Sequence, residues 1–191
     1  MAFVGIEAPV TVVQMLWINI MMDTLGGLAF AGEAPLVSCM RERPKRRDEP
    51  ILNGYMINQI LLLGGSTVAL CMAFLLDPHI SSRFRASEGS IVHLTAFFAL
   101  FIFTSVFNCF NARTDRLRLF SGLSENKVFI VIMLLVAAVQ LIFVYLGGSV
   151  LRTVPLTVSE LCFTLVLSLS VIPIDLLRKT VLRLLGRRGG F

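Results

Sequence analysis

Asp23 and Asn19 are the residues of this sequence best suited to chemistry. Asp23 lies twelve residues into an otherwise uncharged apolar run, Thr11 to Phe30. An ionisable side chain at the middle of a bilayer costs about 2.5–3.5 kcal/mol on insertion scales, which marks such residues as functional candidates. Asn19 precedes Asp23 by four positions, and positions four apart share one face of an α-helix. A carboxylate and an amide oxygen on one face suit a hard cation such as calcium, which takes six to eight oxygen ligands. Two donors do not complete such a shell. A hydrogen-bonded Asn-Asp pair joining two helices accounts for the same residues, and spacing alone leaves the two readings even.

The other polar residues in apolar runs carry weaker signals. Ser105, Asn108 and Asn111 follow each other at intervals of three, and neutral hydrogen bonding between helices is the simplest role for them and for Gln140. Asp175, two residues after Pro173 and three before Arg178, reads as a local ion pair at the membrane interface. Glu160 sits at the opposite end of that run, where it reaches water. Cys39, Cys71, Cys109 and Cys162 have no metal-binding spacing and imply no disulfide; a thiol within a span acts as a small hydrophobe. His79 and His93 read as interface residues. No GxxxxGK[ST] phosphate loop occurs.

The elements that must position these residues follow from composition. The chain is 56% hydrophobic and 15% charged over 191 residues, and its mean hydropathy is +0.83, values that exclude an ordinary water-soluble domain. Five apolar runs, 11–30, 55–76, 91–110, 128–146 and 161–177, each approach the roughly 20 residues that cross a bilayer as a helix. The expected fold is therefore all-α, a polytopic transmembrane bundle of five spans. Gly26-Gly27 and Gly64-Gly65 within the spans imply close helix packing or a local bend. The connectors are too short for a separate nucleotide-binding or hydrolytic domain.

Basic residues favour the cytoplasmic side of a membrane. Counted on alternate sides of the five spans, fourteen of the 17 Lys and Arg fall on the side of the C-terminus and three on the other. Residues 1–10 are thus expected to be extracytoplasmic and the basic tail, 178–191, cytoplasmic. The net charge of +5 comes from residues flanking the spans, which points to anionic lipid headgroups as partners and away from nucleic acid. An extracytoplasmic start with no basic residue before Arg41 is awkward for a chain beginning at Met1, and suggests a preceding segment.

Val13-Gln14-Met15-Leu16-Trp17-Ile18-Asn19-Ile20-Met21-Met22-Asp23-Thr24 resembles the sixth membrane helix of P-type calcium-transporting ATPases, of the plasma-membrane type in particular. The likeness continues through Glu33-Ala34-Pro35, Arg43-Pro44 and Pro50-Ile51-Leu52, which are similar to the connector between the sixth and seventh helices. Phe107-Asn108-Cys109-Phe110-Asn111-Ala112-Arg113 resembles the end of the eighth helix. Ile172-Pro173-Ile174-Asp175-Leu176-Leu177-Arg178-Lys179 resembles the end of the tenth. The resemblance covers essentially the whole chain as membrane helices six to ten.

It implies that Asn19 and Asp23 coordinate transported calcium, with Ser105 and Asn108 as possible neighbours of the site. Met22 and Ser105 stand where two-calcium pumps carry a threonine and a glutamate, departures that favour a single-calcium site. ATP and magnesium would act only in cytoplasmic domains absent from this sequence, together with the Asp-Lys-Thr-Gly phosphorylation motif, so this stretch alone is not expected to hydrolyse ATP. The implied partners are lipids and the N-terminal half of the pump; the implied place is the plasma membrane or an endomembrane such as the vacuole. Leu177, Val181, Leu184 and Leu185 recur at helical spacing among basic residues, so the tail suits a short amphipathic helix on the lipid surface, or less readily a calmodulin target. The competing reading is a stand-alone five-span scaffold or pump regulator without transport activity.

Overall fold

The computed structural model describes residues 9–32, 54–85, 90–113 and 126–184. Residues 1–8, the basic connector from Arg41 to Arg47 with the motif residues around it, Cys39, Arg116, Arg118 and residues 185–191 lie outside the described residues. Among the described residues all regular structure is helical, and five helices are long and apolar enough to cross a membrane: Val12–Ala31, Met56–Leu76, Ser90–Arg113, Lys127–Leu146 and Val158–Val181.

The first span is not one regular helix. It comprises α1 (Val12–Asn19), a π-helical segment (Ile20–Gly26) and α2 (Gly27–Ala31). Thr11 starts α1 with a capping box: its hydroxyl accepts from the Gln14 main-chain N–H, and Gln14 Oε1 accepts from the Thr11 N–H at 2.8 Å. The second span is α3 (Gly54–Leu76), followed by the short α4 (Pro78–Ser81), which Asp77 caps through the His79 N–H at 2.8 Å. The third and fourth spans are α5 (Ser90–Arg113) and α6 (Lys127–Leu146), and a single turn, α7 (Gly148–Leu151), follows α6.

The fifth span runs from Val158 to Val181, starting earlier and ending later than the apolar run 161–177. Charge explains the difference at both ends, since Glu160, Arg178 and Lys179 are buried by their partners and belong to the span despite their polarity. The span breaks at Ser170 into α8 (Val158–Leu169) and α9 (Val171–Leu184). Pro173 causes the break: it has no N–H for the Leu169 carbonyl four residues earlier, and its ring crowds that turn. Residues 178–184 of the tail continue the span as the last two turns of α9.

Helices in lipid gain little from hydrophobic burial against one another, so close packing and polar contacts must hold them. α5 is the hub, touching α3, α6, α8 and α9. One face of α5, with Phe97, Leu100 and Phe103, joins Phe74, Phe84, Val144 and Leu156 in one core. The adjoining face, Phe98, Ile102 and Val106 at steps of four, packs with Met21, Ala29, Phe129 and Val136 in a second. This second core positions the segment that carries Asp23.

Glycines contribute less to helix contact than their positions imply. A Cβ at Gly27, Gly64 or Gly65 would meet nothing within 4 Å, whereas Gly26 and Gly27 straddle the change from π to α winding.

Candidate cation site

Asn19 is the last residue of α1 and Asp23 lies within the π segment, so the two flank a change in winding. The Ile20 N–H reaches both the Leu16 and Trp17 carbonyls, where the hydrogen-bond ladder begins to shift. In a π-helix the N–H bonds five residues back, so each turn holds more than four residues, and positions four apart come nearly into line. π segments are rare and recur at functional sites, because they leave backbone groups less tightly committed than an α-helix does.

The turn is two-sided. Met21 is buried against α5 and α6 and Gly26 is also buried, while Asn19, Met22, Asp23 and Thr24 are exposed. Trp17 fixes α1 above the turn: its Nε1 donates to Gln140 Oε1 at 3.2 Å, and its ring meets Phe143 edge-on at 5.0 Å. Gln14 Nε2 donates to the Leu151 carbonyl at 2.8 Å. Beyond the turn, Asn126 Nδ2 donates to the Ala29 carbonyl at 3.4 Å, and Phe30 meets Phe129 edge-on. Composition gives no hint of the two contacts made by Gln14 and Trp17; only the unusual placement of Gln140 in an apolar span signals one of them.

Ser105 and Asn108 direct their hydrogen bonds elsewhere. The Ser105 hydroxyl donates to the Phe101 carbonyl of its own helix at 2.9 Å. Asn108 Nδ2 donates to Thr67 Oγ1 on α3 at 3.0 Å, the helix-joining role expected of a neutral amide. Gln140 makes the same kind of contact with Trp17. Asn111 is fully buried and donates to the Val171 carbonyl at 3.1 Å, which locks the kink after Ser170 onto α5.

Asp175 and Arg178 do form the expected local ion pair, at 2.8 Å, but the pair is buried, and Lys179 joins it at 2.5 Å from the second carboxylate oxygen. Glu160 does not reach water. It is 4% exposed and accepts from the Arg85 main-chain N–H and Nε, at 3.1 and 3.2 Å, while its other oxygen closes a capping box with Thr157. The Arg85 side chain explains the burial by bringing the countercharge to the carboxylate. His93 is half-buried between Phe74 and Phe84, with Nε2 2.9 Å from the Phe74 carbonyl.

Among the described residues no three His, Cys, Asp or Glu side chains cluster as a metal site. The first span carries one carboxylate and one amide, Asp23 and Asn19, on the exposed side of the π turn.

Five helices long and apolar enough to cross a membrane define a polytopic helical membrane protein. Residues 7–181 match the family described as Cation transporting ATPase, C-terminus, and the chain belongs to that family. It is 32% identical over 183 residues to Calcium-transporting ATPase PAT1 of Dictyostelium discoideum, covering 91% of this chain and 16% of that protein. It is also 32% identical over 185 residues to Plasma membrane calcium-transporting ATPase mca-1 of Caenorhabditis elegans, covering 90% and 15%. Putative calcium-transporting ATPase 7, plasma membrane-type, of Arabidopsis thaliana is 33% identical over 172 residues, covering 88% and 17%. The chain thus spans about a sixth of the length of these relatives.

Proposed function

We propose that this chain is the C-terminal membrane region of an ATP-driven calcium pump, and that Asn19 and Asp23 donate oxygens to the transported ion. The observation that carries the reading is the position of Asp23: a carboxylate in mid-span, inside a π segment, exposed on the side opposite the packed core. A carboxylate held toward lipid without a partner is costly, so that side is the one to be completed by oxygen donors from another part of the protein. The family supports the same completion, because the relatives carry about five-sixths of their length outside the matched region.

In this reading α5 and α6 are the rigid support, and the remaining calcium ligands, the nucleotide site and the phosphorylated aspartate belong to other segments of the pump. The N-terminus faces away from the cytoplasm and α9 ends on the cytoplasmic side, where Arg178 and Lys179 lie among the basic residues nearest the membrane. The exposed Val181 and Leu184 give the last turn an apolar side for the lipid surface.

The test is Asp23→Ala in the full-length pump, with calcium-dependent phosphoenzyme formation measured over a range of calcium concentrations. Loss of high-affinity calcium activation is expected. An unaltered calcium affinity would remove Asp23 from the site.

A further inference from the structure

Gln140 lies in the middle of α6, fully buried in the most apolar of the five spans. Its Oε1 accepts from Trp17 Nε1, while its Nε2 is buried without a hydrogen-bond partner among the described residues. A buried donor left unmade is costly, and a leucine at this place would avoid that cost. The amide therefore does something other than stabilise α6.

Its hydrogen-bond donor, Trp17, lies two residues before Asn19. The Trp17 ring is held on its other side by Phe143, one turn along α6 from Gln140. One turn earlier in α1, Gln14 donates to the Leu151 carbonyl just beyond α6. Beyond the π segment, Asn126 at the start of α6 holds the Ala29 carbonyl. The two ends of α6 and α7 thus grip the first span above and below the π turn. Between the grips, only Met21 and Gly26 are buried. A helix fixed at both ends presents its middle residues at an angle set by the fixed points; Ile18 and Met21 pack non-directionally on the second core, and the Trp17 hydrogen bond is the directional contact beside Asn19.

We infer that Gln140 is a positioning residue: by accepting from Trp17 it sets the rotation of the first span, and so the direction in which Asn19 and Asp23 present their oxygens. The inference rests on the reading of those two residues as cation ligands. Gln140 itself touches no ion.

The experiment uses the full-length pump with Gln140→Leu, Trp17→Phe, the two combined, and Gln140→Glu. The half-saturating calcium concentration and the maximal level of phosphoenzyme are read separately, beside abundance and thermal stability. Gln140→Leu and Trp17→Phe are each expected to raise half-saturating calcium about three- to tenfold, the range one neutral hydrogen bond carries, with the maximal level retained. The combined variant is expected to be no worse than the worse single one, because both remove the same contact. Gln140→Glu keeps an oxygen opposite Trp17 Nε1 and is expected to restore calcium affinity.

Unchanged half-saturating calcium in Gln140→Leu and Trp17→Phe overturns the inference, as does lowered stability with calcium affinity retained. Should Gln140→Leu fail to fold, Trp17→Phe decides, since it keeps an aromatic ring against Phe143 while removing the donor. If the unsubstituted pump forms no calcium-dependent phosphoenzyme, or Asp23→Ala leaves its calcium affinity unaltered, the underlying ligand reading fails and takes this one with it.

Discussion

Lys179 of α9 donates from Nζ to the main-chain carbonyl of Asn111 at 2.9 Å, closing the end of α5 with a buried cation. The last carbonyls of a helix have no partner within it and carry the negative end of its dipole, so an ammonium there is favoured. Asp175 lies between Lys179 and Arg178 and balances part of their charge. Asp175→Ala removes the carboxylate and leaves two buried cations facing each other. Breaking a buried ion pair from one side costs about 3–5 kcal/mol, so a large fall in thermal stability of the full-length protein in detergent is expected. Replacing all three groups by apolar ones, Asp175→Leu with Arg178→Met and Lys179→Met, should cost less than Asp175→Ala alone, because no buried charge is then left unmatched.

Glu160 joins the start of α8 to the connector before α5. One oxygen accepts twice from Arg85, and the other caps Thr157. Glu160→Ala removes a capping interaction worth about 1 kcal/mol and the acceptor for a charged donor worth about 1.5–3 kcal/mol. Arg85 keeps its contact with the Pro155 carbonyl at 2.7 Å, so the connector is loosened and not released. Lower thermal stability is expected, with Glu160→Gln intermediate because it retains an oxygen for one of the two roles.

Gly147 has no room for a methyl group. A Cβ there would lie 2.6 Å from Thr153 Oγ1 and 2.8 Å from Leu151 Cδ1, and closer still to the Phe143 carbonyl. Its φ of −65° is ordinary, so the requirement is close approach and not backbone conformation. Gly147→Ala should destabilise by about 1–3 kcal/mol through overpacking, and should disturb the Thr153 hydroxyl that donates to Phe143 at 2.8 Å. Gly65→Ala, where a Cβ meets nothing within 4 Å, serves as the comparison and should leave stability unchanged. Equal thermal stability of the two variants would contradict the assignment.

The five spans were legible in the sequence because lipid allows little else: an apolar run of bilayer length must close its own backbone hydrogen bonds as a helix. The first four boundaries differ from the apolar runs by a few residues at most. The fifth differs because Glu160, Arg178 and Lys179 read as exposed charges, and their neutralisation by Arg85, Asp175 and Asn111 depends on residues distant in sequence or on the packing of α9 against α5. At the candidate site, Asp23 and Asn19 stood out by residue type alone. The π winding between them did not, since a shift from bonding four residues back to five leaves no mark on composition. The grip of Trp17 on Gln140 joins positions 123 residues apart, and a lone amide in a span announces only that some partner exists.

The isolated chain should lack a sharp, reversible thermal transition in detergent. Two-thirds of the apolar window of α5 is buried, but only 22% of the first span's and 11% of the second's. α5 is therefore surrounded, whereas α3 is held mainly along one side by α5 and α9. Detergent can cover Leu61 and Val68 as lipid does, so apolar exposure alone does not destabilise α3. Asp23 is different: detergent offers it neither a cation nor a hydrogen-bond donor, and an unpaired carboxylate in that medium costs several kcal/mol. The first span should loosen before α5 and α8 separate, giving a broad transition in which tryptophan fluorescence from Trp17, the one tryptophan of the chain, changes at lower temperature than the helical circular dichroism signal. Coexpression with the segment that covers Asp23 should bring the two transitions together. A single sharp transition of the isolated chain, coincident by both probes, would show that the first span needs no such cover.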